Sequence, residues 1–282
     1  MQLDKQPTAV PASGPRYPQN PANLINLSKY SLNRLGSPEG ARLVAHCHER
    51  LTTSGLCLLK EFITPAALDI LAAEAREAES RAYFARSTHN AYMEPDDDAF
   101  TPDHPRRYRL ETSAGSVACD RMSADSALRG LYEWNPLVSF TGAIFGNRNL
   151  YRSADIHDAL SIGVLRNGDR YAWRFNGAEY ATSLMLQAPE VGGEVEYVPV
   201  ALSNGDPHYA LIGRILRDEH NEVNRVPVVP GDLLVISGRA LLHRVTEVRG
   251  TTSRLAAVFC VRTSANKVDS DAAPRMFPGE SC

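Results

Sequence analysis

The sequence predicts a mainly β protein: a double-stranded β-helix core of the jelly-roll (cupin-like) kind, flanked by α-helices. Three observations predict it. The second half of the chain breaks into apolar runs of strand length. Turn sequences such as Asn167-Gly168-Asp169, Gly192-Gly193 and Pro230-Gly231-Asp232 separate those runs. Helical spacing of apolar residues is mostly confined to residues 37–145. Many short strands joined by tight turns close into a sandwich or roll, and 282 residues are enough for one such core.

Residues 1–25 carry Pro7, Pro11, Pro15, Pro18 and Pro21 among small polar residues and read as a flexible arm, leaving 26–282 as a single domain. Ser37-Pro38 is a cap followed by a first helical residue. Val44, Cys47, His48 and Leu51 then share one face of a helix that ends near Gly55. Leu56-Cys57-Leu58-Leu59 is a buried strand by length. Thr64-Pro65 repeats the cap, and Leu68, Leu71, Ala72, Ala75, Ala78 and Ala82 give an amphipathic helix to about Tyr83. Ser87 to Arg109 reads as a long polar loop able to cover a pocket. Ser123 to Phe145 reads as helical, with Leu128, Leu131, Tyr132, Leu137 and Phe140 facing inward. The strand-like runs that follow are 159–165, 171–176, 180–187, 194–198, 233–237 and 255–261, with a short helix at Leu211–Asp218.

Composition narrows the function. With 43% hydrophobic and 22% charged residues, disorder, collagen and coiled coil are excluded. Thirty basic against 33 acidic residues leave a charge of −3, which offers no footprint for nucleic acid. Five scattered cysteines form no CxxC pair, which fits a reducing cytoplasm, and Cys260 reads as a buried strand residue. No apolar run is long enough to cross a membrane and no secretion-signal layout opens the chain, so the expected location is cytoplasmic. The expected partner is a small molecule, and a homodimer is compatible with all of this.

His243 and Arg254 fall on successive strand-like runs joined through Arg249-Gly250-Thr251, which would bring both to one pocket on neighbouring strands. An imidazole can hold a metal and a guanidinium can take a carboxylate bidentately. A single histidine in a strand is more commonly structural. Asp96-Asp97-Asp98 lacks ligand spacing and reads as a solvated turn. Trp173 and Phe175 alternate with Arg174 and Asn176, so the aromatics should face a core and the polar pair a pocket.

From about Gly55 to Thr263 the chain resembles the iron(II)/2-oxoglutarate oxygenases, in particular the branch of free-amino-acid hydroxylases and halogenases. The segments that carry the resemblance are His89-Asn90-Ala91-Tyr92, Pro102-Asp103-His104-Pro105-Arg106, Leu131-Tyr132-Glu133-Trp134, Leu150 to Asp155, Leu184-Met185-Leu186-Gln187, Gly192 to Pro199, and Leu242 to Thr246. The resemblance implies a jelly-roll fold, a small amino-acid-like substrate, 2-oxoglutarate as co-substrate, His243 as the distal iron ligand and Arg254 as the partner of the far 2-oxoglutarate carboxylate. His89, Asn90, Glu179 and Arg239 become candidate substrate contacts, and His104 shares the polar loop with the first two.

The segment Trp173-Arg174-Phe175-Asn176 departs from the family, which has a histidine at the position of Arg174 and an aspartate, or in halogenases a small residue, at that of Asn176. Iron(II) in such enzymes is held by two imidazoles and a carboxylate. Of these ligands His243 alone remains, and a protonated guanidinium has no lone pair to offer. Three readings follow. The pocket binds a small anion through Arg174 and Arg254 without oxidation. The protein is an oxygenase-like enzyme with a relocated metal site, for which His157, Asp155, Glu179 and Glu194 are candidate ligands, or a metal-free catalyst using Arg174, Asn176 and His243. It is a partner subunit of an active relative.

Overall fold

The computed structural model describes residues 19–147, 149–153, 159–176, 180–200, 208–219, 223–237 and 241–263. The first helix, α1 (Pro38–Ser54), starts where Ser37 accepts the Gly40 N–H and stops at Gly55, whose φ of 74° suits a residue without a side chain. β1 (Leu56–Leu59) follows. Thr64 then caps α2 (Pro65–Ala78), which gives way to a 3-10 turn at Glu79–Arg81, earlier than the spacing through Ala82 suggests. The helical stretch expected across 123–145 is two helices, α3 (Ala127–Glu133) and α4 (Asn135–Ile144). Trp134 is extended between them and precedes Asn135-Pro136.

The longest strands that escaped the sequence reading form a hairpin. β2 (Tyr83–His89) and β3 (Leu110–Ala118) pair antiparallel along their length, so the polar loop begins at Asn90 rather than Ser87. Leu110-Glu111-Thr112-Ser113-Ala114-Gly115-Ser116 is poor in β-branched and large apolar residues, and its strand character comes from its neighbours. Gly115 gives the Phe84 ring room to lie against it, since a Cβ would stand 2.6 Å from that ring.

The remaining strands are β4 (Tyr151–Arg152), β5 (Leu160–Leu165), β6 (Tyr171–Arg174), β7 (Tyr180–Gln187), β8 (Val195–Pro199), β9 (Asn224–Val226), β10 (Leu233–Ser237), β11 (Leu241–Val245) and β12 (Arg254–Arg262). A helix α5 (Tyr209–Leu216) precedes β9. They form a large sheet ordered β1-β10-β7-β12-β5-β3-β2, with β4 added to β12, and a small sheet ordered β6-β11-β8-β9. The sheets join along one side, where Ser113 and Arg170 bridge and the Ala172 N–H donates to the Thr112 hydroxyl.

Period-two alternation sorts the side chains into three cores. Leu255, Ala257 and Phe259 of β12 turn outward and pack with α1 to α4, including Leu71, Leu131 and Phe140. Leu165, Val195, Leu234, Val245 and half-buried Tyr171 and Tyr197 fill the space between the sheets. Trp173, Phe175, Val198 and Leu242 lie behind the small sheet, covered by Ile212 and Ile215 of α5. The packed chain starts before residue 26: Leu24 and Ile25 are buried, Ile25 bridges Ile63, and Thr64 donates to the Leu24 carbonyl. Four cysteines, Cys260 among them, are buried and form no disulfide among the described residues. Among the described residues no helix is long and apolar enough to cross a membrane.

The Pro230-Gly231-Asp232 turn ties two distant parts of this frame together. The Asp232 carboxylate, 1% exposed, accepts the Glu61 N–H at 2.8 Å and the Val229 N–H at 3.1 Å. Replacing it leaves two backbone donors without their acceptor. Asp232→Ala is expected to lower unfolding free energy by about 3 kcal/mol, read as a lower urea midpoint with an unchanged slope.

Candidate functional site

Residues that face each other across antiparallel strands share a face of the sheet. Arg174 of β6 faces His243 of β11, His243 faces Tyr197 of β8, and Tyr197 faces Asn224 of β9. Leu242 and Val198 form the next pair and belong to the core behind the sheet. The row Arg174–His243–Tyr197 therefore looks into the roll, and Trp173 and Phe175 look out, as the alternation predicts. Asn176 follows Phe175 at a half-buried position past the end of β6.

Strict alternation would send Tyr171 outward with Trp173, and the structure does otherwise. Val245 faces Tyr171 while His243 faces Arg174, so three steps on β6 match two on β11. This bulge returns Tyr171 to the inner face. The Arg174 guanidinium lies 4.4 Å from the Tyr171 ring centroid. The Tyr171 hydroxyl reaches Gly163 of β5, where a Cβ would stand 2.9 Å from it. Tyr171 and Tyr197 are site residues that sequence reading missed. Tyr197 lies in the Gly192 to Pro199 segment, but only strand register reveals that it flanks His243.

Arg254 reaches the site from the opposite sheet. Its strand is not the neighbour of the His243 strand: β12 is in the large sheet and β11 in the small one. Arg254 is 5% exposed, and its Nε donates to the Gly193 carbonyl at 3.1 Å. Gly193 has a φ of 66°, and a Cβ there would press on the Arg254 Cδ at 3.0 Å, so the Gly192-Gly193 turn is a seat for this side chain. Burial pushes its pKa down to about 10, against the attraction of Tyr171, and it stays charged at neutral pH. Burial also lowers the pKa of Arg174, again opposed by Tyr171.

His243 is 6% exposed, and its Nδ1 lies 3.1 Å from the Leu241 carbonyl. A carbonyl only accepts, so Nδ1 carries the proton and Nε2 the lone pair. Burial first, and the charge of Arg174 second, push its pKa down to about 4, against the pull of the Leu241 carbonyl. At neutral pH it is an uncharged acceptor. This tautomer would suit a metal ligand, but the residue that faces it across the strands is the cation Arg174. Among the described residues no three His, Cys, Asp or Glu side chains cluster to hold a metal ion. The described donors do not fit an iron triad, whereas the Arg254 guanidinium fits a carboxylate. Asp155, His157, Glu179 and Arg239 lie outside the described residues.

The other candidates have different work. His89 is buried, with Nδ1 at 2.9 Å from the Asn90 carbonyl and Nε2 at 2.9 Å from the Thr112 hydroxyl. Both nitrogens are thus held within the protein. Asn90 is fully buried; its amide donates to the Glu94 and Arg106 carbonyls and accepts from the Tyr92 and Glu94 N–H groups. That uses its full hydrogen-bonding capacity, so these two anchor the loop and have no group left for a substrate. The loop does not cover the pocket. Ala91, Tyr92 and Tyr108 pack behind the small sheet, and His104 stacks on Phe100 at 4.2 Å with Tyr209 of α5 at 4.4 Å. Glu194 is exposed and paired with Arg225.

The protonation state of His243 has a measurable consequence. Its folded-state pKa lies below the ordinary 6.5, so protonation favours the unfolded chain. Its effect on stability is nil above about pH 6.5 and grows as pH falls toward 4. The loss expected there is about 3 kcal/mol. Denaturant titrations of wild type and His243→Gln across that range check it, because the difference between them should shrink or reverse on acidification.

A family model described as Halogenase D matches residues 40–274. No curated protein matches the sequence. Among solved structures, the α-ketoglutarate-dependent epimerase SnoN from nogalamycin biosynthesis aligns with a TM-score of 0.55 at 13% identity, over 79% of this chain and 83% of its own. AviO1 from Streptomyces viridochromogenes aligns with a TM-score of 0.54 at 18% identity, over 83% and 97%. A 2OG-Fe(II) oxygenase-family oxidoreductase from Burkholderia pseudomallei aligns with a TM-score of 0.50 at 14% identity, over 79% and 92%. These likenesses confirm the double-stranded β-helix fold, and since the family model spans most of the chain, this protein belongs to the halogenase D family.

Proposed function

We propose that this family member binds a small dicarboxylate of the 2-oxoglutarate class between its sheets, without iron-dependent oxidation. The observation that carries the reading is Arg254: a charged guanidinium 5% exposed, with no carboxylate partner among the described residues and only the Gly193 carbonyl as acceptor. A charge so placed is costly unless an anion completes it. SnoN, which shares the fold, has been seen in complex with Fe3+ and α-ketoglutarate. In this chain Arg174 faces His243, at the position for which the resemblance to the oxygenases implies an iron ligand. The cation there favours an anionic ligand and opposes a divalent metal. The ligand class extends to amino-acid-like molecules with two carboxylates.

In the presence of a chelator, 2-oxoglutarate at a hundredfold excess over its dissociation constant should stabilise the protein by about 2.7 kcal/mol, and Arg254→Met should abolish the effect. Anaerobic iron(II) with 2-oxoglutarate should give no metal-to-ligand charge-transfer band in the wild type. The pair of substitutions Arg174→His and Asn176→Asp should restore the band. A wild-type band, or succinate formed with stoichiometric iron, would show that ligands beyond the described residues complete a metal site and that the protein is an oxygenase.

A further inference from the structure

The corner where α1 hands over to β1 buries two thiols side by side. Alternation along β1 turns Leu56 and Leu58 into the roll and leaves Cys57 and Leu59 facing the helical layer. Cys47 lies with Leu51 on the inner face of α1, and Cys47 and Cys57 are 0% and 1% exposed. The Cys47 S–H donates to the Cys57 sulfur. That bond, with burial behind it, raises the pKa of Cys47. The same bond lowers that of Cys57 against burial, helped by the charge of Arg50. Tyr30 stands near both sulfurs, with its hydroxyl committed to the Lys60 carbonyl at 2.7 Å. Cys119 and Cys260 belong to other elements, the 3-10 turn Cys119–Arg121 and β12, and burial raises the Cys119 thiol.

This corner is also weakly held. β1 has four residues and forms an edge of the large sheet, paired among the described residues with β10 alone. The last turn of α1 is Thr52-Thr53-Ser54, residues of low helix preference whose hydroxyls bond back to the His48, Glu49 and Arg50 carbonyls. We propose that Cys47 and Cys57 form a reversible disulfide in response to a peroxide, stapling α1 to the edge of the large sheet. Local opening of the corner admits the small oxidant without unfolding the roll. The Cys57 thiolate attacks one peroxide oxygen and the O–O bond breaks. The departing hydroxide takes up the proton that Cys57 released, leaving as water, and Cys57 carries a sulfenic acid. The Cys47 sulfur then attacks the Cys57 sulfur, the S–O bond breaks, and the departing hydroxide takes the Cys47 proton as a second water. In sum, two thiols and one peroxide give one disulfide and two waters. The staple acts on the frame and does not depend on what the roll binds.

The test exposes the folded, chelator-treated full chain to hydrogen peroxide, blocks the remaining thiols in denaturant and digests with trypsin. Cleavage after Arg42, Arg50 and Lys60 puts Cys47 in peptide 43–50 and Cys57 in peptide 51–60. The disulfide should appear as these two peptides joined, lighter than their sum by two hydrogens, and dithiothreitol should separate them. In the oxidised protein, amide hydrogen exchange across residues 52–59 should slow about a hundredfold, the loop-closure effect of so short a ring, and recover on reduction. Cys47→Ala should let peroxide carry Cys57 on to sulfinic acid, with no slowing of exchange. The wild-type peptide map and exchange rates decide the matter even where that variant does not fold. Both thiols left intact in the folded protein, a joined peptide that forms only in urea, or exchange unchanged by the bond would overturn the proposal. So would oxidation of Cys119 or Cys260 ahead of the pair.

Discussion

A guanidinium that cannot lose its charge is buried between two sheets, and much of the inner architecture accommodates it. Arg254 rests against the Gly192-Gly193 turn because only a residue without a side chain leaves room for its Cδ there. Burial lowers its pKa, but far too little to neutralise it near pH 7. The facing wall answers with Tyr171, whose ring lies 4.4 Å from the Arg174 guanidinium and which favours the charged form of both arginines. Tyr171 can stand there because β6 bulges against β11 and because Gly163 leaves space for its hydroxyl. These adjustments hold a buried charge that the proposed anion within the roll would complete.

Arg174 and His243 extend the same electrostatics. Their strands place them directly opposite each other. The charge of one helps to keep the other neutral, and the Leu241 carbonyl fixes which ring nitrogen is the acceptor. The second outer layer, by contrast, is structural. His89 and Asn90 spend their polar groups on loop closure, and the aromatic stack around His104 seals the loop against α5.

The local elements were legible where chemistry acts at short range. Ser37-Pro38 and Thr64-Pro65 start helices because their side chains satisfy the first free N–H groups, and Gly55 ends one because it accepts a positive φ. The apolar runs from Leu160 to Val261 became strands because their alternation fits one face in and one face out. β2 and β3 were not legible, since Thr112, Ser113 and Gly115 have little strand preference and are held by the strands beside them.

The sequence by itself determined the roll, the helical flank, and which residues, Arg174, His243 and Arg254 among them, stand on strand-length runs, because residue identity and short-range period encode these. The tertiary structure alone decided that Arg254 approaches from the opposite sheet and that Tyr171 and Tyr197 border His243. It also decided that the polar loop lies behind the small sheet rather than over the pocket. The physical reason is that sheet membership, register and a single-residue bulge are set by pairing between distant segments. A period of two along one strand carries no record of its partner.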